Sequence, residues 1–195
     1  MEVLIVYTHP NPRSFNRAVL EAFTRGLGEG GHTFEVVDLY AIGFDPRLRL
    51  ADYVQFTGKQ MPQDILEQQE KVARADALVF IHPVWWVGWP AMLKGWIDRV
   101  FSYGFAYQFT ERGGLEGLLK YKKALLINTT YYSEEDYEFL GIRDAMEKTL
   151  VEFTLKCCGI QDVKYVFLYS VEAVDNKIRW KYLEQVFRLG KELQF

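Results

Sequence analysis

Apolar runs and amphipathic segments alternate along the whole of this chain, and that alternation limits its possible folds more than any single motif. A short apolar run reads as a strand buried on both faces, and a segment with apolar residues three and four apart reads as a helix laid on such a sheet. Val3 to Tyr7 is the first strand; Phe15, Val19, Leu20, Phe23 and Leu27 mark the helix after it, which a Gly-rich stretch stops. Phe34 to Leu39 is the second strand. Tyr40 to Met61 has no sustained period and reads as a long excursion, longer than most connections and so a candidate for function. Pro62 opens a helix over Gln63 to Ala75, Ala77 to Ile81 is a third strand, and Ala91 to Phe101 is the next helix. Ala124 to Asn128, a helix from Gly141 to Cys157, Tyr165 to Tyr169 and a last helix from Asp175 to Leu193 complete the series.

Five strands and five helices in strict alternation predict an α/β chain with a three-layer, doubly wound, five-stranded parallel sheet. Right-handed crossovers leave few strand orders, and 2-1-3-4-5 is a common one. With 195 residues, about half of them hydrophobic, and no linker, residues 1–195 read as one domain. In that order the winding reverses between strands 1 and 3, and ligands bind beyond the carboxyl ends of strands at such a point. The loops leaving those strands, Thr8 to Ser14 and His82 to Pro90, are also the most unusual in the sequence.

The second of them sets Trp85, Trp86 and Trp89 among prolines and a glycine. Each indole N–H needs a partner, so the three are not all expected to be ordinary core, and a planar ligand stacked at the strand end accounts for them. The first loop offers anion binding. Ser14 is a natural N-cap, leaving the backbone N–H groups of Phe15, Asn16 and Arg17 to point out of a helix end whose dipole favours phosphate; His9, Arg13 and Asn16 stand beside it. Walker A and dinucleotide glycine patterns are absent.

A net charge of −3 with no long basic run argues against nucleic acid. No apolar run reaches membrane-spanning length and no signal peptide is read, so the chain is expected in the cytoplasm without an integral membrane segment. The adjacent Cys157 and Cys158 have no metal-spaced companions and read as structural; no metal site is expected.

With both loops in view, His9 with Ser14-Phe15-Asn16, and Pro83-Val84-Trp85-Trp86-Val87-Gly88 followed by Pro90-Ala91-Met92-Leu93-Lys94-Gly95-Trp96, make the chain resemble a known family. It is similar over most of its length to the flavin-dependent NAD(P)H:quinone oxidoreductases, the DT-diaphorase-like branch of the flavodoxin-like fold. The resemblance implies that the first loop holds flavin phosphate and that Pro83, Val84, Trp85, Trp86 and Val87 wrap the isoalloxazine ring. A third loop, Thr129, Thr130, Tyr131 and Tyr132, would touch the same ring. Trp86 and Tyr107 would stack the substrate. Tyr137 matches a tyrosine that supports the reduced flavin, so Tyr137 and Arg143 are the candidate catalytic pair.

Two positions depart from the family. Glycines are common where this chain has Tyr131 and Tyr132, and a positive φ there would strain two tyrosines. Arg143 replaces a histidine; a guanidinium can neutralise charge yet cannot give up a proton near neutral pH, so an inward Arg143 would act electrostatically, and an outward one would be an ordinary solvated helix residue. The implied activity is ping-pong, two-electron hydride transfer from NAD(P)H through bound flavin to a quinone or similar flat acceptor, in a homodimer whose sites a second subunit completes. FAD and FMN are not distinguished, nor NADH and NADPH. The alternatives are a nitro- or azo-reductase of the same fold and a regulatory flavoprotein subunit of a membrane transporter; a one-electron carrier is disfavoured by the near-neutral charge.

Overall fold

The computed structural model describes residues 1–57, 59–120 and 122–193. Its five-stranded parallel sheet is built from β1 (Glu2–Tyr7), β2 (Thr33–Asp38), β3 (Ala77–Pro83), β6 (Lys123–Thr129) and β7 (Asp162–Leu168), in the spatial order β2-β1-β3-β6-β7. Renumbered over the sheet alone, this is the expected 2-1-3-4-5. Side chains alternate between faces, so Leu4, Val6, Leu78, Phe80 and Leu126 meet α2 (Gln63–Arg74) and α3 (Ala91–Val100). Val3, Ile5, Val79, Ile81 and Ile127 meet α1 (Phe15–Glu29) and α6 (Asn176–Glu192) on the other face.

Two glycines bring α1 and α6 together backbone to backbone. A Cβ built on Gly26 would lie 2.1 Å from the Phe187 carbonyl oxygen, and one on Gly190 would lie 2.4 Å from that of Phe23.

A hairpin of β4 (Tyr107–Phe109) and β5 (Leu115–Gly117) interrupts the strict alternation; three-residue strands carry too little period to be read from sequence. The expected helix over Gly141–Cys157 is a second correction. The chain turns helical earlier, in α4 (Glu134–Phe139), where Ser133 and Asp136 form a reciprocal capping box. It breaks at Gly141, whose φ of 64° few other residues tolerate, resumes as α5 (Ile142–Met146) and widens into a π-helical run over Glu147–Lys156.

The excursion after β2 contains a 3₁₀ turn over Leu50–Phe56 and is clamped to α3. The fully buried Arg99 donates to both carboxylate oxygens of the equally buried Asp52, at 2.9 and 3.1 Å, and to the Asp45 carbonyl at 2.9 Å, while Asp64 pairs with it at 2.8 Å. Gly95 admits Pro46 against the helix backbone, leaving no room for a Cβ. Among the described residues, no helix is long and apolar enough to cross a membrane.

Candidate functional site

Beyond the carboxyl ends of β1, β3 and β6 lie two adjoining cavities that share Val84, Trp85 and Tyr131 as a common wall. The first, about 380 Å³, is polar and is lined by His9, Asn11, Ser14, Phe15, Asn16, Thr129 and Thr130 among others. The second, about 650 Å³, is an aromatic-walled slot between Trp85, Trp86 and Val87 on one side and Tyr131, Tyr132, Tyr137, Leu140 and Ile142 on the other.

The polar cavity sits on the start of α1. Ser14 caps the helix with extended backbone, and its hydroxyl accepts from the Arg17 N–H at 3.3 Å. Arg17 also donates to the Ser14 carbonyl at 3.0 Å, so its N–H is committed. This corrects the expected set of three free donors to two, Phe15 and Asn16, which find no acceptor within the described residues. Asn16 is buried; its amide nitrogen donates to the Thr129 hydroxyl at 2.7 Å, tying the helix start to the end of β6, while its side-chain oxygen has no partner among the described residues. His9 Nδ1 lies 3.0 Å from the Asn11 backbone nitrogen and 3.2 Å from the Asn11 carbonyl oxygen, and burial lowers the ring's pKa. Arg13 is exposed and lies outside the cavity lining.

The slot's first wall is a tight turn. Trp85 and Gly88 exchange backbone hydrogen bonds at 3.3 and 3.2 Å, and Trp86 and Val87 between them have φ of 50° and 57°, the pattern of a type I′ turn. That region suits Asn and Gly and is strained for a β-branched residue. The turn leaves the Trp86 ring wholly exposed and, among the described residues, both of its central N–H groups without an acceptor. Trp89 behaves differently from its two neighbours: it is buried on Phe80, ring centroids 6.1 Å apart, with its indole N–H unpartnered among the described residues.

The opposite wall resolves the question of the two tyrosines. Neither Tyr131 nor Tyr132 takes a positive φ. Their loop is latched to the end of β7, through Thr130 N–H to Leu168 O at 3.0 Å, Val171 N–H to Thr130 O at 3.0 Å and Ser170 N–H to Tyr132 O at 3.2 Å. Their rings meet edge to face at the slot mouth, and their own N–H groups are free within the described residues. Tyr137 is buried deeper, and burial pushes its phenol up to about 12.

Arg143 does not line the slot. Its guanidinium lies 5.7 Å from the Phe167 ring centre and 4.0 Å from Glu134, half exposed, and Phe167 packs edge to face on Tyr137. Its charge lowers the Tyr169 phenol, which burial raises more strongly. Tyr107 is separate too: it lies on the hairpin with Tyr103 and Phe109, away from both cavities of its own chain. Sequence reasoning missed Asn11, Val171, Glu172, Leu140 and Ile142 as lining residues. Val171 and Glu172 follow the last sheet strand at the same edge of the sheet, so the carboxyl-end rule alone would have marked them.

Comparison with known proteins adds a family. A family model described as a flavodoxin-like fold matches residues 1–189. A Haemophilus influenzae protein named as an uncharacterized NAD(P)H oxidoreductase is 33% identical over 185 residues, covering 94% of this chain and 91% of that protein. The Homo sapiens ribosyldihydronicotinamide dehydrogenase (quinone) is 35% identical over 201 residues, covering 91% and 85%. A solved NAD(P)H:quinone oxidoreductase from Methanothermobacter marburgensis is 38% identical with a TM-score of 0.91, covering 100% of this chain and 99% of that one.

Proposed function

Since the chain belongs to the flavodoxin-like fold family, we propose that it is a flavin-dependent NAD(P)H:quinone oxidoreductase, acting as one domain in the cytoplasm on small planar acceptors and not on nucleic acid. The observation that carries this reading is the pair of adjoining cavities, one polar on a helix start and one aromatic, with pairs of free N–H groups at their edges.

The residues present fit a flavin. Phe15 and Asn16 N–H groups at the start of a 15-residue helix suit a phosphate, and the unpartnered Asn16 oxygen suits a hydroxyl of the chain that joins phosphate to ring. Trp85, Trp86, Tyr131 and Tyr137 suit the ring itself. When bound, the flavin supplies hydride transfer between nicotinamide and quinone. The protein supplies position and charge. The N–H groups of Trp86, Val87, Tyr131 and Tyr132 are donors for acceptor atoms on the ring edge, fixed before the ligand arrives. Tyr137 holds its proton across the physiological range and so serves as a hydrogen-bond donor. Arg143 acts through the aromatic layer as a distant positive charge, which leaves proton delivery to water.

The active form we propose is a homodimer, in which Tyr107 of the partner subunit stacks over the slot. Support comes from the open slot with its exposed Trp86, and from the exposed aromatic group of Tyr53, Phe56 and Phe109 packed around Tyr103 and Tyr107. The purified protein is expected to be yellow and to bleach anaerobically with NADH or NADPH, and the flavin released by denaturation identifies FAD or FMN. A protein that stays colourless after incubation with excess FMN and FAD overturns the reading.

A further inference from the structure

At the carboxyl ends of β1, β3 and β6, three neighbouring residues carry polar atoms left unpaired among the described residues. Tyr7 is level with Ile81, and His82 with Asn128, so Thr8, His82 and Asn128 continue across one face of the sheet the row set two residues earlier by Val6, Phe80 and Leu126. All three are wholly buried. Among the described residues, Thr8 Oγ1, His82 Nε2 and Asn128 Oδ1 each lack a hydrogen-bond partner, so none of them bonds another directly.

The reason lies in the β1–β3 ladder. Thr8 N–H donates to the Ile81 carbonyl at 3.1 Å; two residues on, the ladder would bring the nitrogen of Pro10 to the carbonyl of Pro83, and proline has no N–H. His82 supplies the missing donor. Its Nδ1 lies 2.9 Å from the Pro83 oxygen, and since a carbonyl only accepts, Nδ1 carries the proton and Nε2 is a bare acceptor. Asn128 spends its amide nitrogen on the Tyr165 hydroxyl at 3.0 Å, leaving its oxygen as a second bare acceptor. Thr8 brings one hydroxyl donor.

Two acceptors and one donor without partners match the complement of a single water, which donates twice and accepts once. We propose that Thr8, His82 and Asn128 form a binding site for one ordered water at the carboxyl end of the sheet, and that this site makes His82 a positioning residue that fixes the Pro83–Val84 edge. Water held there orients the imidazole, the imidazole holds the Pro83 carbonyl, and the Thr8–Pro12 loop is free to diverge from β3 and open the crevice. The positioning half rests on the flavin reading above; the water site does not.

The test begins with ligand-free protein. A high-resolution crystal structure is expected to show one water within about 3.2 Å of all three atoms, and nitrogen-15 NMR to show the Nδ1–H tautomer of His82. Empty density, a bound cation, a direct Thr8–His82 bond or an Nε2–H tautomer each overturns the site. For positioning, Thr8→Val and His82→Phe are compared by flavin titration and thermal midpoint. His82→Phe is expected to weaken flavin binding at least tenfold while remaining folded, and Thr8→Val to weaken it less while broadening the His82 signal. Unchanged affinity in a folded His82→Phe protein overturns the positioning role. If the wild type binds no flavin, the functional reading falls while the water site stands on its own data.

Discussion

His82 shows how one residue can serve the ladder, the slot and the pH response at once. Its burial holds the imidazole at about 4, against an ordinary value of 6.5. The folded chain keeps the ring neutral where the unfolded chain protonates it, so this contribution to stability is complete above about pH 6.5 and is lost as pH falls toward 4. At roughly 1.4 kcal/mol per pH unit the loss is of order 3 kcal/mol. Urea unfolding midpoints measured from pH 7 down to pH 4.5 are expected to fall for the wild type and to fall distinctly less for His82→Phe; equal slopes would count against the assignment. His9 adds a smaller term of the same sign, since burial lowers it too. The sequence marked His9 as a residue of the anion-binding loop and His82 only as the start of the aromatic loop. What separates them is whether the ring faces the core or the polar cavity, and that depends on the register of neighbouring strands.

At the scale of elements, the three central strands were legible because a strand buried on both faces must be apolar throughout, as Ala77 to Ile81 is. The Ser14 cap was legible for a similar reason, since its chemistry is local. The hairpin of three-residue strands and the break at Gly141 were not, because three residues carry too little period and a single glycine inside a helical pattern does not by itself announce a positive φ. The aromatic loop was recognisable, but not its backbone: nothing in Trp85-Trp86-Val87-Gly88 announces a type I′ turn with tryptophan and valine at positions that favour Asn and Gly. Val87→Gly removes the strain of a β-branched residue at φ 57° and is expected to raise stability by about 1 kcal/mol, read as an upward shift of the thermal midpoint by a few degrees. A lower midpoint would show that the Val87 side chain contributes more by packing than its backbone costs.

For the molecule as a whole, the long excursion after β2 is integrated through one buried cation. Arg99 reaches Asp52, Asp45 and Asp64 from a single helix position, and its guanidinium also lies 5.4 Å from the Phe44 ring centre. Removing one member strands the rest in a low-dielectric interior, so Asp52→Ala is expected to cost about 3–5 kcal/mol. Its measure is the denaturant midpoint, with loosening of residues 44–57 followed by hydrogen exchange. A loss below about 1 kcal/mol would mean that water reaches the cluster. The two cavities are joined on a similar economy of parts, since Val84, Trp85 and Tyr131 bound both. A guest that spans them loses its rigid-body freedom once and collects contacts at either end. Its headgroup and its ring therefore behave as tethered halves of one chelate, each raising the local concentration of the other.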